Sequence, residues 1–525
     1  MTTKTATYAA IMHYLLLLAM LAVALYHGQT ATAQLTTAFD PDLYRDIGQA
    51  YTIFYGDWLS DPQLSGEMQW YNPLTAALIA GMSAAFELDP ATTYVRAGAY
   101  LGLLAPLAFY LCLRCLLNPS VALVAVATFI FISAADPQIP YPASYSPWLH
   151  SWKLAQVFFY LALTCIFGFI QRGSLHLMLA GGLLWGLCFL THFYPAILLG
   201  AICLVCATMG KIRWSQLLYM MVLAFLVGLP FVWSIVFHYQ MNVVNSLVVE
   251  WVYDDLQELL PYLLLYVNWQ LPLVLAGGWV LQRRYANADA NTGAGLLAIW
   301  ACVVLGSVVY SSLWHNIKDL GLYLPPLTFS IHTSFYLSAV LSMLFAVGTV
   351  SGLQTFASNQ CRNIPVEIAA VLIILVLYLP TYGNRAAFTQ WPQFARYNQQ
   401  FFENTGFSEW LHSTTDSDNV ILAAPTQSLS MVVSHGRKVV AGPALWSNPY
   451  VDMQQRLDDQ EKMFAALADK DWASFFTLAE HYEVDYLLSL GDSWEQGLDP
   501  QRFSIAHQGP GLNIYSLDGK RQAGN

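Results

Sequence analysis

Long apolar runs separated by short polar breaks fill the first 380 residues of the chain. A helix needs about 20 predominantly apolar residues to cross the hydrocarbon core of a bilayer. Windows of this kind run near 8–27, 95–113, 119–134, 153–170, 175–191, 194–209, 215–238, 259–281, 293–311, 333–355 and 364–380. Arg114, Arg172, Lys211 with Arg213, Arg283 with Arg284, and Arg362 occupy short connectors at every second boundary. Cytoplasmic loops carry such an excess of Lys and Arg. The intervening connectors 135–152, 239–258 and 312–332 are longer and aromatic or acidic. The pattern predicts a mainly α, polytopic transmembrane helical bundle of about 11 to 13 spans. It sets residues 28–72 and everything after 380 on the outer face. Segment 73–88 is apolar but short. Counting it as a span would invert all later ones, so a tilted, re-entrant or irregular segment is expected there.

The N-terminal run 9–26, with Lys4 before it and Ala31-Thr32-Ala33 after it, fits a cleavable signal pattern. It is also long enough to span, and a retained anchor is the expectation. The pattern changes at residue 381. Short β-like runs (Val420–Ala423, Lys438–Ala441, Tyr486–Ser489, Leu512–Leu517) alternate with helix-like stretches 450–468 and 470–482. Strands alternating with helices imply a small α/β domain. The expected division is a membrane domain over 1–380, with 28–72 as its first outer loop, and an outer α/β domain over 381–525.

Composition sharpens this picture. Hydrophobic residues make up 56% of the 525 and charged residues only 10%, against about 25% charged in soluble domains. The formal net charge of −11 argues against nucleic acid as a partner. Seventeen of the acids and ten of the basic residues lie from Thr381 onward, and 28–72 holds six acids against Arg45 alone. The acidity therefore sits in one loop and the tail. All eight cysteines fall in apolar spans or their basic flanks, so no disulfide is expected. The Cys112/Cys115 and Cys203/Cys206 spacings read as packing inside apolar helices.

Candidate chemistry concentrates in the first loop, LTTAFDPDLYRDIGQAYTIFYGDWLSDPQLSGEMQWYNPL. Asp40 and Asp42 follow the first span closely, and carboxylates there can bind a divalent cation or take a proton from a hydroxyl. A solvated acidic loop is the plainer reading. Tyr44, Ile47, Tyr51 and Phe54 recur at helical spacing, which suggests an amphipathic helix lying along the membrane surface.

An Asp soon after the first span, a Tyr-containing amphipathic helix, GDWLSDP and the aromatic-Pro entry Tyr71-Asn72-Pro73-Leu74 together resemble the GT-C membrane glycosyltransferases. The likeness continues through FELDPATTYVRAGAYLGLLAPLAFYLCLRCLL, with Arg96, and LAGGLLWGLCFLTHFYPAILL. The tail sequence FSEWLHSTTDSDNVILAAP is similar to the outer α/β domain of such proteins. The resemblance implies a sugar donor linked to a polyprenyl phosphate and a glycan, lipid or protein acceptor. Asp40 matches the family's first-loop catalytic base or metal ligand, with Asp42 as the alternative alignment. Asp136 matches the second-loop acid, and an Asp40–Asp136 pair would hold Mg2+ or Mn2+. The usual Arg beside that second acid is missing.

Tyr44, Tyr71 and the basic residues Lys153, His192, His315 and Lys318 are candidates for substrate or phosphate binding. Each basic residue also has a plainer reading, as an interfacial anchor or, for His192, as a buried hydrogen-bonded histidine. His435-Gly436-Arg437-Lys438 reads as a turn before a strand. Two other functions stay open: a non-catalytic GT-C-like scaffold or membrane-complex partner, and a lipid or sugar transporter. The acids cluster in loops rather than mid-helix, which counts against transport. No Asn-x-Ser/Thr sequon with an allowed middle residue occurs, favouring a bacterial inner membrane with the loop and tail in the periplasm.

Overall fold

The computed structural model describes residues 3–132, 144–245, 247–250, 270–286, 293–319, 321, 330–360 and 366–517. The chain divides into two compact units. The first comprises residues 1–33, 97–229 and 252–390; the second comprises 34–96, 230–251 and 391–525. The first outer loop thus groups with the tail.

Helices dominate the first unit. In chain order, counting described α-helices longer than four residues over both units, they begin with α1 (Thr3–Thr32), α2 (Pro41–Phe54) and α3 (Leu74–Phe86), the last two belonging to the second unit, then α4 (Pro90–Leu101), α5 (Leu104–Leu116) and α6 (Pro119–Phe131). Next come α7 (Ser151–Arg172), α8 (Leu175–Thr191), α9 (Phe193–Thr208), α10 (Trp214–Trp233) and α11 (Leu271–Ala286). The apolar series closes with α12 (Gly293–Asp319), α13 (Ser330–Gln360) and α14 (Val366–Tyr382).

Among the described residues, six stretches are long and apolar enough to cross a membrane: Ile11–Thr32, Pro90–Leu116, Ser151–Arg172, Trp214–His238, Gly293–Tyr310 and His332–Thr355. Counting α14 with the bent segment after it makes seven. The protein is an integral membrane protein. The apolar windows near 119–134, 175–191 and 194–209 fall on helices of 13, 17 and 16 residues. Asn118 and Pro119 start α6 afresh, Gly173 at φ +67° ends α7 before α8, and extended His192 separates α8 from α9. Hydropathy windows register apolarity but not these breaks. Residues 259–269 of another window lie outside the described residues. Segment 73–88 becomes α3, a 13-residue helix only about 20 Å long, short of the ~30 Å hydrocarbon core.

Packing in this unit follows membrane rules. Without a hydrophobic force between helices in lipid, small residues let backbones approach. A Cβ on Gly277 would lie 1.8 Å from the Leu344 carbonyl oxygen, and one on Gly348 would lie 2.0 Å from that of Leu273. α11 and α13 therefore touch backbone to backbone. Arg385 donates to the carbonyls of Ile130 (3.0 Å) and Phe131 (2.7 Å), satisfying acceptors that the end of α6 leaves without helical partners.

The second unit is α/β. Its strands are β1 (Val420–Leu422), β2 (Lys438–Val439), β3 (Val484–Ser489), β4 (Phe503–Gly509) and β5 (Leu512–Leu517), ordered β2-β1-β3-β5-β4. β1 pairs parallel with β2 and β3, and β5 pairs antiparallel with β3 and β4. The remaining helices are α15 (Gln390–Thr405), α16 (Phe407–Thr414), α17 (Met453–Asp469) and α18 (Trp472–His481). Val420, Leu422, Met463, Leu467, Phe475, Val484 and Leu487 form the core between sheet and helices. The expected strand and helix runs all appear; β4 adds a strand the sequence pattern did not suggest. His435 and Gly436 form a turn before β2, as expected.

First-loop residues are built into this unit. Leu64 packs with Ala441, Val451 and Met453. Along α2, Tyr44, Ile47 and Tyr51 are buried within protein, so these three members of the expected lipid-facing stripe face protein instead, while Phe54 at the helix end is exposed. A Cβ on Gly48 would lie 2.6 Å from Val433, and one on Gly436 2.5 Å from Tyr51, which shows how closely α2 meets the tail.

Candidate active site

Asp40 and Pro41 set the start of α2. Asp40 is extended (φ −127°, ψ 138°) and its Oδ1 accepts from the Asp42 backbone N at 2.9 Å, while Pro41 occupies the first turn, where no amide hydrogen is needed. Asp40 is buried.

One turn into the helix, Arg45 joins two carboxylates. Its Nη1 lies 3.0 Å from Asp42 Oδ1; its Nη2 and Nε lie 2.9 and 3.1 Å from Asp46 Oδ1. The guanidinium sits 3.6 Å from the Tyr71 ring centroid, a cation–π contact strengthened by burial. Tyr94 donates from its hydroxyl to Asp46 Oδ2 at 3.1 Å. The side chains of Arg45 and Asp46 are 6% and 2% exposed, and that of Asp42 is 43% exposed. Of this trio, Asp42 alone presents its carboxylate to solvent.

Burial by itself would weaken the Arg45 charge, but Tyr71, Asp46 and Asp42 together outweigh it and hold the guanidinium protonated. Burial raises the Tyr71 phenol above its ordinary value, with Arg45 opposing. Tyr44 is turned away from this cluster. Its oxygen accepts from Asn398 Nδ2 at 2.7 Å, and burial raises its phenol, so it acts as a brace between the first loop and α15. Arg96 donates from Nε to the Leu35 carbonyl at 3.1 Å.

Two further polar clusters fasten loop to tail. Asp61 Oδ1 accepts from the backbone N of Gln63 (2.7 Å) and Leu64 (3.1 Å), and Oδ2 accepts from Asn448 Nδ2 at 2.9 Å. Lys438 Nζ donates to the Asp61 carbonyl and to Ser60 Oγ. Burial raises the Asp61 carboxyl and lowers the Lys438 amine. In the other cluster, Tyr51 donates to Asp89 Oδ1 and stacks on His412 at 5.4 Å. His435 sits 5.8 Å from His412 and makes hydrogen-bond contacts from Nε2 to Ser408 Oγ (2.8 Å) and from Nδ1 to the Met431 carbonyl (2.8 Å).

The structure thus brings Asp40, Asp42, Tyr44 and Tyr71 into one unit. Lys153 and His192 belong to the other. Lys153 opens α7 and is buried, with Nζ donating to the Ser144 carbonyl at 3.1 Å; it does not snorkel. His192 stacks on Phe193 and meets His332 edge-on at 4.6 Å. Asp136 and the side chains of His315 and Lys318 lie outside the described residues.

Among the described residues, no three His, Cys, Asp or Glu side chains converge as a cation site. Arg45 holds one oxygen of Asp42 and one of Asp46, and one oxygen of Asp40 caps α2; Asp136, the other half of the expected Mg2+ or Mn2+ pair, is not among the described residues. Sequence reasoning missed Arg45 and Asp46 as partners. The spacing Asp42, Arg45, Asp46 in DPDLYRD was the available signal, since residues three apart share a helix face.

No protein-family model matches the chain, and no curated protein matches it. Solved structures do match. ArnT from Cupriavidus metallidurans in the apo state aligns with a TM-score of 0.53 at 12% identity, over 98% of both chains. ArnT bound to undecaprenyl phosphate gives 0.52 at 12% identity, over 95% of this chain and 97% of that one. The arabinofuranosyltransferase AftD from Mycobacteria gives 0.50 at 14% identity, over 95% of this chain and 40% of that one. A helical membrane unit joined to an α/β unit that incorporates the first loop defines a polytopic membrane protein of one recognisable architecture. The chain has the fold of the GT-C membrane glycosyltransferases.

Proposed function

We propose that this protein is an inverting glycosyltransferase that moves a sugar from a polyprenyl phosphate to an acceptor hydroxyl on the outer face of the membrane. The observation that carries the reading is Asp42, a solvent-reaching carboxylate in the first turn of α2, fixed by a buried Arg45. Match of the fold to an ArnT structure holding undecaprenyl phosphate supports the donor class. The basic connectors and the missing sequon support a bacterial inner membrane, with loop and tail in the periplasm.

In this mechanism Asp42 takes the proton of the acceptor hydroxyl as its oxygen attacks the anomeric carbon. The bond from that carbon to the phosphate oxygen breaks, and the polyprenyl phosphate leaves with the electron pair. A phosphate leaving group needs little protonation, so a single base suffices. Arg45 fixes one oxygen of Asp42 in place, and the helix N-terminus favours the negative charge there. The capping role of Asp40 and its burial support Asp42 over Asp40 as base. The test is transfer from a radiolabelled polyprenyl-phosphate sugar in membranes carrying Asp42→Asn or Asp40→Asn protein. Loss confined to the Asp42 variant is the expected result.

A further inference from the structure

A solvent-reaching carboxylate can choose among rotamers, so the stance of Asp42 needs a cause. Part of that cause lies on another helix of the same unit. The start of α4 is fastened to α2 at two points. Asp89 caps α4, accepting from Thr92 N at 3.1 Å, and also accepts from the Tyr51 hydroxyl. Five residues after Asp89, Tyr94 donates to Asp46 Oδ2 at 3.1 Å, and Asp46 stands five residues before Tyr51. The two contacts are equally spaced and run in opposite senses, which sets the register of this part of α4 on α2.

Each oxygen of Asp46 then has its own task. Oδ2 takes the Tyr94 hydroxyl, while Oδ1 takes Nη2 and Nε of Arg45. Bonds to separate oxygens fix the plane of the carboxylate, and the fixed carboxylate fixes one edge of the planar guanidinium. The Tyr71 ring covers a face of that guanidinium at 3.6 Å. With an edge and a face held, Nη1 is left aimed at Asp42 Oδ1, 3.0 Å away. Tyr94, Asp46 and Arg45 are all buried, so bulk water does not stand ready to replace a lost bond.

We infer that Tyr94 is a positioning residue for sugar transfer: its hydroxyl, acting through Asp46 and Arg45, sets where the Asp42 carboxylate stands. The inference rests on the reading of Asp42 as the base. Its consequence falls on the chemical step. Asp42 takes the acceptor proton in the transition state, so a displaced carboxylate lowers kcat and leaves the donor KM where it was.

The test measures kcat and donor KM of the full chain with the radiolabelled polyprenyl-phosphate sugar that unsubstituted membranes transfer, per amount of folded protein. Tyr94→Phe removes one oxygen and keeps the ring. It should lower kcat by about 10-fold, as a misplaced catalytic group does, with the donor KM unchanged. Made in Asp42→Asn protein, the same substitution should leave the residual rate as it is, because no base remains to be placed. An equal loss in both backgrounds would make Tyr94 merely structural and overturn the inference, as would an unchanged kcat beside an inactive Asp42→Asn protein. Full transfer by Asp42→Asn protein overturns the reading of the base, and the inference with it. Should Tyr94→Phe not fold, Asp46→Asn breaks the relay at its middle and is held to the same outcomes.

Discussion

Arg45 reaches across one turn of α2 to hold Asp42, Nη1 to Oδ1 at 3.0 Å, while the other edge of its guanidinium grips buried Asp46. One cation therefore serves an exposed carboxylate and a hidden one. The exposed contact orients and the hidden one stabilises, because removing one partner of a buried pair leaves a charge without compensation.

This arrangement predicts that Arg45→Met destabilises the protein by about 3–5 kcal/mol, chiefly through stranded Asp46. Adding Asp46→Leu to the same protein should recover much of the loss. Thermal unfolding of detergent-purified protein checks the order of stabilities: unsubstituted, then double, then single variant. A double variant no better than Arg45→Met would show that Asp46 is not the source of the strain.

His435 carries a pH dependence. Burial first, then His412 and Arg437, push its imidazole down to about 3. The unfolded chain takes up this proton near pH 6.5, before the folded one does. Stability is therefore complete above about pH 6.5 and falls as pH drops toward 3, by up to about 1.4 kcal/mol per pH unit for one proton. Unfolding midpoints measured from pH 7.5 to 4 should fall less steeply for His435→Gln than for the unsubstituted protein.

Gly436 sits at φ +73°, and a Cβ there would meet Tyr51 Cβ at 2.5 Å. Both backbone and space thus demand glycine. Gly436→Ala should cost upwards of about 1 kcal/mol and loosen α2 from the tail, seen as faster proteolysis of residues 28–72. Gly436→Ala with unchanged melting and proteolysis would contradict the close approach.

Much of this architecture was legible in the sequence. Apolar runs marked the helical membrane part, and alternating β-like and helical runs marked the tail. β4 escaped because Phe503–Gly509 (FSIAHQG) contains His507 and Gln508 amid few apolar residues, and its strand identity comes from pairing with β5. The periodicity of Tyr44, Ile47 and Tyr51 gave the helix but not its partner: an apolar stripe looks the same whether lipid or protein covers it. In the candidate site, Asp40 and Asp42 stood out by position, yet only the fold distinguishes the cap from the solvent-reaching carboxylate. Arg45 and Tyr71 are far enough apart in sequence that their stacking needed the loop between them to close through Asp61, Lys438 and Asn448.

Sugar transfer by Asp42→Asn protein tests the central claim most directly. Asn keeps the shape of the side chain and removes the base, so turnover should fall by about 10²- to 10⁴-fold, with expression and melting temperature near those of the unsubstituted protein. Asp40→Ala, measured beside it, should lose about 1 kcal/mol of helix capping and keep most of its turnover. Undiminished transfer by the folded Asp42→Asn protein would contradict the account.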